Sequence, residues 1–416
     1  MKINYNNDIR ERFIPISYDE ILKGYLRHFD IKDRDRYKEL SRAINLYYYY
    51  NFYDDLEQLK LNYQPFNPDS DTISTPLTLD EYREREDRLF EEIVPLLNYS
   101  NYEILTQDML ESTINKTSPY GVEVSVDFDD FEEIQIYYRG ESIQQDRVKD
   151  PKKLYLRYKT ITLHIYRRLF IIIKPKHIDD RAKEIALRDG KDIEKVKQKL
   201  KRQNHLLSTD RANKNIYIKI FKDIPQIDLE MLFPNTKVRM KLFDKLKLGV
   251  VGGGGTVGGG ATLFGKLSAA AIDPISALLA LGAFGGILWR QVKEVLFRRT
   301  HYMAQLAKNL YFHNLSNNMG ALSYIADMAK DEESKEVLLT SLFLLHQNNP
   351  ISIDELDREI ERYISENYDI EMDFEISDGI NKLERLGLIA KSEDKLEILN
   401  IDKCIERLEE LLTLYR

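Results

Sequence analysis

The stretch from Lys247 to Arg290 most constrains the fold of this chain. Residues 248–265 contain no charged side chain, and nine of these eighteen residues are glycine. A second apolar run follows and is interrupted only by Asp273. A membrane-spanning helix needs about 20 apolar residues. We therefore predict a transmembrane helical hairpin with spans at about 248–266 and 272–290.

The charges around this stretch predict its orientation. Basic side chains flank its outer ends, whereas the turn between the two runs offers only Lys266. By the positive-inside rule, both termini are expected to face the cytoplasm. Residues 1–17 contain neither a secretory signal nor an import sequence. The expected location is a bacterial-type inner (plasma) membrane, with the mitochondrial inner membrane as the alternative. The single cysteine, Cys404, fits a reducing compartment.

Glycine spacing within the first run indicates close helix packing. Gly254 and Gly258 are four residues apart, and so are Gly255 and Gly259. Small residues at this spacing let two membrane helices approach each other closely. The lipid bilayer and further copies of the chain are therefore predicted partners. The alternatives for this run are a buried hairpin in a protein core and a glycine-rich loop.

Two nucleotide-binding patterns also occur in this run. Residues 253–258 match G-x-G-x-x-G, and residues 260–266 match G-x-x-x-x-G-K. Leu267 stands where a phosphate-binding loop needs serine or threonine, and no strand is predicted before either pattern. We predict no cofactor, because a run so rich in glycine produces both patterns by chance.

Charge is distributed unevenly along the chain. Residues 1–146 hold 16 basic and 31 acidic side chains, whereas residues 147–222 hold 23 basic and 8 acidic ones. The basic segment includes a predicted helical insertion at residues 179–203. Such a segment can meet anionic lipid or nucleic acid, or it can complement the acidic part of the same chain. The last interpretation is favoured, contact with anionic lipid stays open, and no nucleic-acid partner is expected.

The hydrophobic periods predict an α+β protein. Its parts are a helical N-terminal region, a small and mostly antiparallel sheet, a two-helix transmembrane hairpin and a C-terminal winged-helix-like domain. The predicted boundaries are 1–115 for the helical region, 116–236 for the α+β domain with its insertion, 237–299 for the hairpin, 300–330 for a helical neck and 331–416 for the last domain.

A run of four tyrosines, Tyr47 to Tyr50, lies in a helix predicted from Asp33 to Leu61. Aromatic rings of this kind can stack on nucleic-acid bases. No lysine or arginine alternates with the rings. Packing in the core and at an interface is therefore the favoured interpretation.

Several segments resemble a known family. They include Tyr138-Arg-Gly140, the stretch from Lys222 to Pro234, and the stretch from Leu306 to Gly320. Together they resemble uncharacterised membrane proteins of the transmembrane protein 143 family, in a bacterial-type form. The resemblance implies a two-helix membrane anchor and a domain of unknown function, and it supplies no reaction. The motif positions are Arg139, Gly140, Lys222, Asp223, Pro225, Asp228, Glu230, Pro234, Asn317, Asn318 and Gly320.

Three carboxylates within this motif raise the question of catalysis. Asp223, Asp228 and Glu230 lie within eight residues of one another, and such groups can bind a metal or transfer protons. No histidine nearby completes a ligand set. The favoured interpretation is a polar knot in which Asp228 or Glu230 pairs with Arg139 or Arg239. No catalytic, cofactor-binding or metal-binding residue is assigned.

The winged-helix-like prediction depends on element order and helix signals. A helix is predicted at 331–346, a capping box from Ser352 and Glu355 opens the next helix, and Gly387 ends the third. A hairpin and a final helix follow. DNA binding needs a basic recognition helix, but residues 348–416 hold 9 basic and 19 acidic side chains. A protein-interaction or dimerisation module is therefore favoured.

The predicted function is that of a membrane-anchored, non-enzymatic scaffold or adaptor that acts through contacts with itself or with another protein. Two alternatives stay open. The first is an oligomeric, pore-forming or membrane-perturbing effector built from the glycine-rich hairpin. The second is a hydrolase that uses a nucleotide at Lys266 or a metal at Asp228 and Glu230.

Overall fold

A computed structural model gives the structure of the protein. It describes residues 12–72, 77–106, 108–110, 122–149, 158–203, 207, 215–240, 311–347, 349–392 and 395–415. The helices are α1 (Tyr18–His28), α2 (Arg34–Tyr63), α3 (Leu79–Tyr99), α4 (Ile178–Asp189), α5 (Ile193–Gln203), α6 (Asn318–His346), α7 (Ile353–Tyr368), α8 (Ile376–Leu386) and α9 (Ile401–Thr413). The strands are β1 (Glu103–Ile104), β2 (Val122–Ser125), β3 (Phe131–Lys149), β4 (Tyr158–Pro175), β5 (Tyr217–Pro225), β6 (Lys237–Met240), β7 (Asn314–Asn317), β8 (Ile351–Ser352), β9 (Ile389–Ser392) and β10 (Lys395–Ile398).

Five strands form the main sheet in the order β1-β3-β4-β5-β7, and each neighbouring pair is antiparallel. This confirms the prediction of a mostly antiparallel sheet. Successive residues of a strand point to opposite faces. Phe170 and Ile172 therefore join one hydrophobic core, whereas Leu169, Ile171 and Ile173 join another. The run of branched residues in β4 is apolar throughout because both faces of that strand are covered.

The first core is built around α6. This helix packs against α1, α2, α3, α8 and strand β5, so the N-terminal helices and the C-terminal elements share one interior. The helix predicted at 331–346 begins earlier, at Asn318, and the predicted boundary between neck and last domain falls inside it. Its N-terminal part is apolar where it lies on the sheet, as Ala321, Leu322 and Ile325 are fully buried.

The predicted helix signals at Ser352, Glu355 and Gly387 are confirmed. Thr78 with Glu81 and Ser352 with Glu355 both form complete capping boxes, in which each hydroxyl and carboxylate satisfies an end-of-helix N–H group. Gly387 ends α8 with a φ of +70°, a conformation that glycine adopts without steric cost. Helices α7 to α9 and the hairpin of β9 and β10 follow the predicted order of elements, and β8, which was not predicted, adds a third strand in the order β8-β10-β9.

The membrane prediction requires correction. In the part of the chain that the structure describes, no helix has both the length and the apolar character needed to cross a bilayer. The predicted transmembrane hairpin, the bacterial or mitochondrial inner-membrane location and the two-helix anchor implied by the family resemblance are therefore not supported. The fold class that the described residues show is α+β. The proposed spans, 248–266 and 272–290, lie outside the described residues.

The physical reason is that a run without charges does not necessarily have much apolar side-chain surface. A glycine has no side chain to bury, so a stretch that is half glycine offers little apolar surface to lipid. The long helices that are described show a different pattern. Helix α6 carries Glu332, Lys335 and Glu336 in buried positions, and buried charges of this kind require partners from the protein. The predicted packing glycines Gly254, Gly255, Gly258 and Gly259 also lie outside the described residues.

Candidate ligand-binding cleft

A cleft of about 1070 Å³ lies between the helix pair α4–α5 and the sheet. Its apolar part is formed by Ile173, Ile185, Val196, Leu200, Tyr217 and Pro234. Its polar part is formed by Asp127, Asp130, Arg188, Asp189, Lys191, Asp192, Lys195, Lys199, Lys219, Asn235 and Thr236. The volume is that of a site for a small organic ligand.

The turn between α4 and α5 sets the shape of one wall. Gly190 ends α4 with a φ of +63°, and the carboxylate of Asp192 accepts a hydrogen bond from the backbone N–H of Lys195, 3.0 Å away. Lys195 and Lys199 are four residues apart on α5, so they lie on the same helix face. Both line the cleft.

Arg181 fixes this helix pair to the rest of the domain. Its side chain is almost fully buried. Its Nε donates to Asp130 Oδ1 at 2.9 Å, its Nη2 donates to Asp127 Oδ1 at 2.8 Å, and its Nη1 donates to Glu184 Oε2 at 3.1 Å. Several carboxylates thus compensate one buried guanidinium, as a charge of this kind requires. Asp127 and Asp130 line the cleft but are already engaged by Arg181.

The remaining charges of the cleft are not balanced. Asp189 accepts from Lys191 and Arg188, and Arg188 also lies 3.8 Å from Asp129, so both cations have carboxylate partners. By contrast, no carboxylate of the described residues lies within 4 Å of the ammonium groups of Lys195, Lys199 and Lys219. The cleft therefore has excess positive charge.

Lys219 is the most enclosed of these cations. Its Nζ donates to Asn317 Oδ1 at 3.3 Å. Burial lowers the pKa of its ammonium group, although Asp69, which lies more than 4 Å away, opposes the shift. Removing an ammonium from water without an anionic partner is unfavourable. An anion bound in the cleft would relieve this cost.

Asn235 adds a hydrogen-bond acceptor. Its Nδ2 donates to the Asp127 carbonyl at 2.7 Å and to Asp130 Oδ2 at 3.0 Å. Its Oδ1 is buried and has no hydrogen-bond partner among the described residues. Buried polar atoms are normally satisfied, so this oxygen can accept a proton donor from a ligand. The cleft thus combines cations, an apolar floor and a free acceptor.

The motif residues predicted from sequence occupy several places. Arg139 lies away from the cleft, where its Nη1 donates to the Ser100 carbonyl at 3.1 Å, its Nη2 lies 3.6 Å from Glu332, and its guanidinium stacks over Phe13. Gly140 follows with a φ of +70°. The predicted pairing of Arg139 with Asp228 or Glu230 does not occur, and the side chain of Arg239 lies outside the described residues.

The segment after β5 begins with a tight backbone turn. The carbonyl of Lys222 accepts a hydrogen bond from His313 Nδ1 at 2.6 Å, so this nitrogen carries the proton. Asp223 follows with a φ of +52°, which strains a residue other than glycine. Pro225 ends the strand and leads into a 3-10 helix at Gln226–Leu232. These motif residues shape the chain between the sheet and the cleft.

Asp228 and Glu230 lie on that 3-10 helix and do not line the cleft. Burial raises the pKa of Asp228 to about 6 and that of Glu230 to about 7. Neither forms an ion pair among the described residues, and Asp228 Oδ1 has no hydrogen-bond partner there. The described residues contain no cluster of three histidine, cysteine or acidic side chains that could hold a metal.

The remaining motif residues join the sheet to α6. Asn318 has a φ of +49°, and its Oδ1 accepts from the Ile218 N–H at 3.0 Å and from the Tyr63 hydroxyl at 3.1 Å. A side chain on Gly320 would meet Ser316 Oγ at 2.8 Å. Two motif residues reach the cleft: Pro234 lines it, and Asn317 contacts Lys219.

Sequence reasoning missed most of the cleft residues. The basic insertion at 179–203 was recognised, and complementarity with the acidic part of the chain was the favoured interpretation of the basic segment that contains it. The four-residue spacing of Lys195 and Lys199 was a usable signal. No sequence signal marks Asn235 or Lys219, because the role of each depends on which residues the fold places next to it.

Comparison with known proteins gives a partial classification. Residues 131–320 match the family model described as a protein of unknown function (DUF3754), and this segment contains most of the cleft. The match supports the expectation of a domain of unknown function, and nothing in it links the chain to transmembrane protein 143. No solved structure matches the chain.

Proposed function

We propose that this protein is a non-enzymatic adaptor whose cleft binds an anionic ligand with an apolar body. The observation that carries the proposal is the set of three lysines, Lys195, Lys199 and Lys219, which line an apolar-floored cleft without carboxylate partners. A resemblance to the transmembrane protein 143 family, based on the motifs alone, belongs to the same proposal and adds no reaction.

The contrast with Arg181 supports a binding role for these lysines. Where the fold uses a buried cation for stability, it surrounds that cation with carboxylates, as it does around Arg181. Lys219 is partly buried, and the attraction of Asp69, more than 4 Å away, only partly offsets the lowering of its pKa by burial, so it lacks full compensation. A ligand anion would supply it, and the resulting charge-assisted hydrogen bonds are stronger than those between neutral groups.

The lining suggests the chemical class of the ligand. A phosphate or carboxylate group would lie near Lys195 and Lys199, and an apolar or aromatic body would lie on Ile173 and Leu200. A hydroxyl or amide donor on the ligand would satisfy Asn235 Oδ1. Inorganic phosphate alone would leave the apolar floor unused.

The arrangement favours binding over catalysis. Of the four carboxylates that line the cleft, Arg181 holds Asp127 and Asp130, Arg188 and Lys191 donate to Asp189, and Asp192 accepts a hydrogen bond from the Lys195 backbone N–H. A general base needs a free acceptor within reach of the reacting proton. The acidic winged-helix-like unit, α7 to α9 with its small sheet, is the part of the chain proposed to contact a protein partner or a second copy.

The test is a fluorescence titration with anilinonaphthalene sulfonate, which combines a sulfonate with an aromatic body. The variant is Lys195→Glu/Lys199→Glu. The matched control is Lys201→Glu/Arg202→Glu, because these residues are exposed on the same helix but do not line the cleft. Both variants change the net charge equally and keep residues with good helix propensity.

We expect one saturable site in the parent, binding weakened by about tenfold or more in the cleft variant, and binding within about twofold of the parent in the control. Equal losses in both variants would show a general charge effect and overturn the proposal. Displacement of the dye by dodecyl phosphate but not by inorganic phosphate would support an anion with an apolar body. Displacement by vesicles of anionic lipid would identify lipid as the source of that anion.

A further inference from the structure

One face of α2 presents aromatic side chains to solvent. Tyr49, Tyr50 and Tyr53 are exposed to 53%, 43% and 49% of their full surface. With Leu46 they recur at the spacing of one helix face. Leu414 and Tyr415, at the end of α9, extend this surface, because α9 packs along α2. We call the surface formed by Leu46, Tyr49, Tyr50, Tyr53, Leu414 and Tyr415 the tyrosine face.

The rings of the tyrosine face are ordered by one another. Tyr49 stacks on Tyr53 with centroids 6.4 Å apart, and Tyr50 stacks on Tyr415 with centroids 6.1 Å apart. The Tyr415 hydroxyl donates to Asn51 Oδ1 at 3.1 Å. Rigid rings of this kind lose little conformational entropy when a partner covers them.

These exposed tyrosines are not required by the core. The opposite side of α2 already supplies Leu40, Ile44 and Phe52 to the interior. Tyrosine is enriched in protein interfaces, where a large apolar ring and a polar hydroxyl are both used. The sequence interpretation of the tyrosine run as core and interface packing is consistent with this division, since Tyr48 is buried, Tyr47 is partly buried, and Tyr49 and Tyr50 are exposed.

Two adjacent carboxylates lie at one end of the tyrosine face. Asp54 and Asp55 are close enough to Tyr415 to contribute to the raised pKa of its hydroxyl. No cation of the described residues lies within 4 Å of either carboxylate. Arg42, by contrast, precedes Asp54 by twelve residues, or about 18 Å of helix, so the two ends of the face differ in charge.

We infer that the tyrosine face is the docking surface for an arginine-containing basic segment of a partner protein. A guanidinium can stack on tyrosine rings and at the same time pair with a carboxylate of Asp54 or Asp55. Both groups occur together at the Tyr415 end of the face. This surface is separate from the cleft, so the inference does not depend on the proposed ligand.

The test is fluorescence anisotropy with a labelled peptide built from arginine, leucine and serine, with a second peptide in which glutamate replaces arginine. The protein variants are Tyr49→Ser/Tyr53→Ser and Asp54→Asn/Asp55→Asn. Matched controls are Tyr158→Ser/Tyr311→Ser, which removes two exposed tyrosines elsewhere, and Asp71→Asn/Asp80→Asn, which removes two exposed carboxylates elsewhere.

We expect the arginine peptide to bind the parent, with affinity reduced by about tenfold in the tyrosine variant and by about threefold or more in the aspartate variant. Both controls should bind within about twofold of the parent. Equal binding of the glutamate peptide, equal losses in the controls, or no binding at about 1 mM protein would overturn the inference. A dimer in sedimentation velocity that becomes monomeric in the tyrosine variant would also overturn it, because the occupant would then be a second copy.

Discussion

The molecule handles charge in opposite ways in two regions. In the first, around α6, acidic and basic side chains are buried and paired with one another. In the second, the cleft beside α5, Lys195, Lys199 and Lys219 have no carboxylate of the described residues within 4 Å. We call the first region the α6 hub, and it comprises Glu332, Glu333, Lys335 and Glu336 of α6 with Arg139 and Lys382.

The α6 hub is nearly closed to water. Lys382 of α8 pairs with Glu333 at 2.6 Å and with Glu336, and all three side chains are buried. Burial raises the pKa of Glu336 even though Lys382 opposes the shift. Glu332 accepts a hydrogen bond from the Ile14 N–H at 2.9 Å, which ties the start of the described chain to α6.

This difference in charge pairing indicates which residues stabilise the fold and which can bind a ligand. A charge that is buried and paired fixes how elements pack, and losing its partner affects stability. A charge that is half-exposed and unpaired contributes little to stability, and it is available to a ligand. Mutations in the two regions should therefore separate folding from binding.

The largest expected effect is that of Lys382→Met. Removal of this cation leaves Glu333 and Glu336 buried without compensation, which should lower the free energy of unfolding by about 3–5 kcal/mol at neutral pH. Denaturant unfolding measures the loss. Lys195→Met in the cleft is the comparison, with an expected change within about 0.5 kcal/mol. Similar losses in the two variants would remove the distinction between the regions.

An intermediate effect is expected from Glu230→Gln. Glu230 is a buried carboxylate that belongs to neither region and forms no ion pair among the described residues. Its pKa is raised to about 7 by burial, whereas the unfolded chain has a value near 4.3. The folded state thus holds a proton that the unfolded state releases, so the stability of the parent falls as pH rises from about 4.5 through 7. The variant should gain about 1–3 kcal/mol over the parent at pH 8.5 and nothing at pH 4.5.

Thermal unfolding across this pH range would show the effect. For Glu184→Gln, the expected change in stability at high pH has the opposite sign, because Lys176 and Arg181 lower the pKa of Glu184. That variant should lose stability at pH 8.5 relative to the parent. A pH-independent difference for Glu230→Gln would show that its carboxylate is not desolvated.

The smallest expected effect should be the same in both regions. Gly190 near the cleft and Gly387 beside the α6 hub both end a helix with positive φ. A Cβ at Gly190 would meet nothing within 4 Å, and one at Gly387 would make ordinary contact with Arg407. Each glycine-to-alanine change should therefore cost about 1–2 kcal/mol through backbone strain alone. A loss confined to one region would mean that packing, not backbone conformation, sets the cost.

Much of the secondary structure could be predicted because its signals are local. The spacing of Ser352 and Glu355 identified a helix start, and Gly387 identified a helix end, since each depends on groups within one turn. The long α6 was predicted in two pieces, as the end of a helical neck at 300–330 and as a helix at 331–346. The structure joins them into one helix, because the part from Asn318 to Lys330 packs on α2, α3 and the sheet, and no local signal reveals these contacts.

The candidate site was less predictable. The high lysine and arginine content of the basic insertion can be seen in the sequence. Whether these charges can bind an anion depends on which of them the fold pairs with carboxylates. Arg181 and Lys195 look alike in a charge count, yet one is surrounded by carboxylates and the other faces an open cleft. The membrane prediction was wrong for a related reason, because absence of charge was taken as apolar surface in a run that is half glycine.

The sequence by itself determined the α+β class, the antiparallel sheet and the order of the C-terminal elements. These depend on hydrophobic period and on turn and cap chemistry, which act between residues close in the chain. The tertiary structure alone decided that Lys382 is paired, that Lys219 is not, and that Asn235 keeps a free acceptor in the cleft. Burial and charge compensation arise between residues distant in sequence, so only the folded arrangement separates charges that stabilise from charges that can bind.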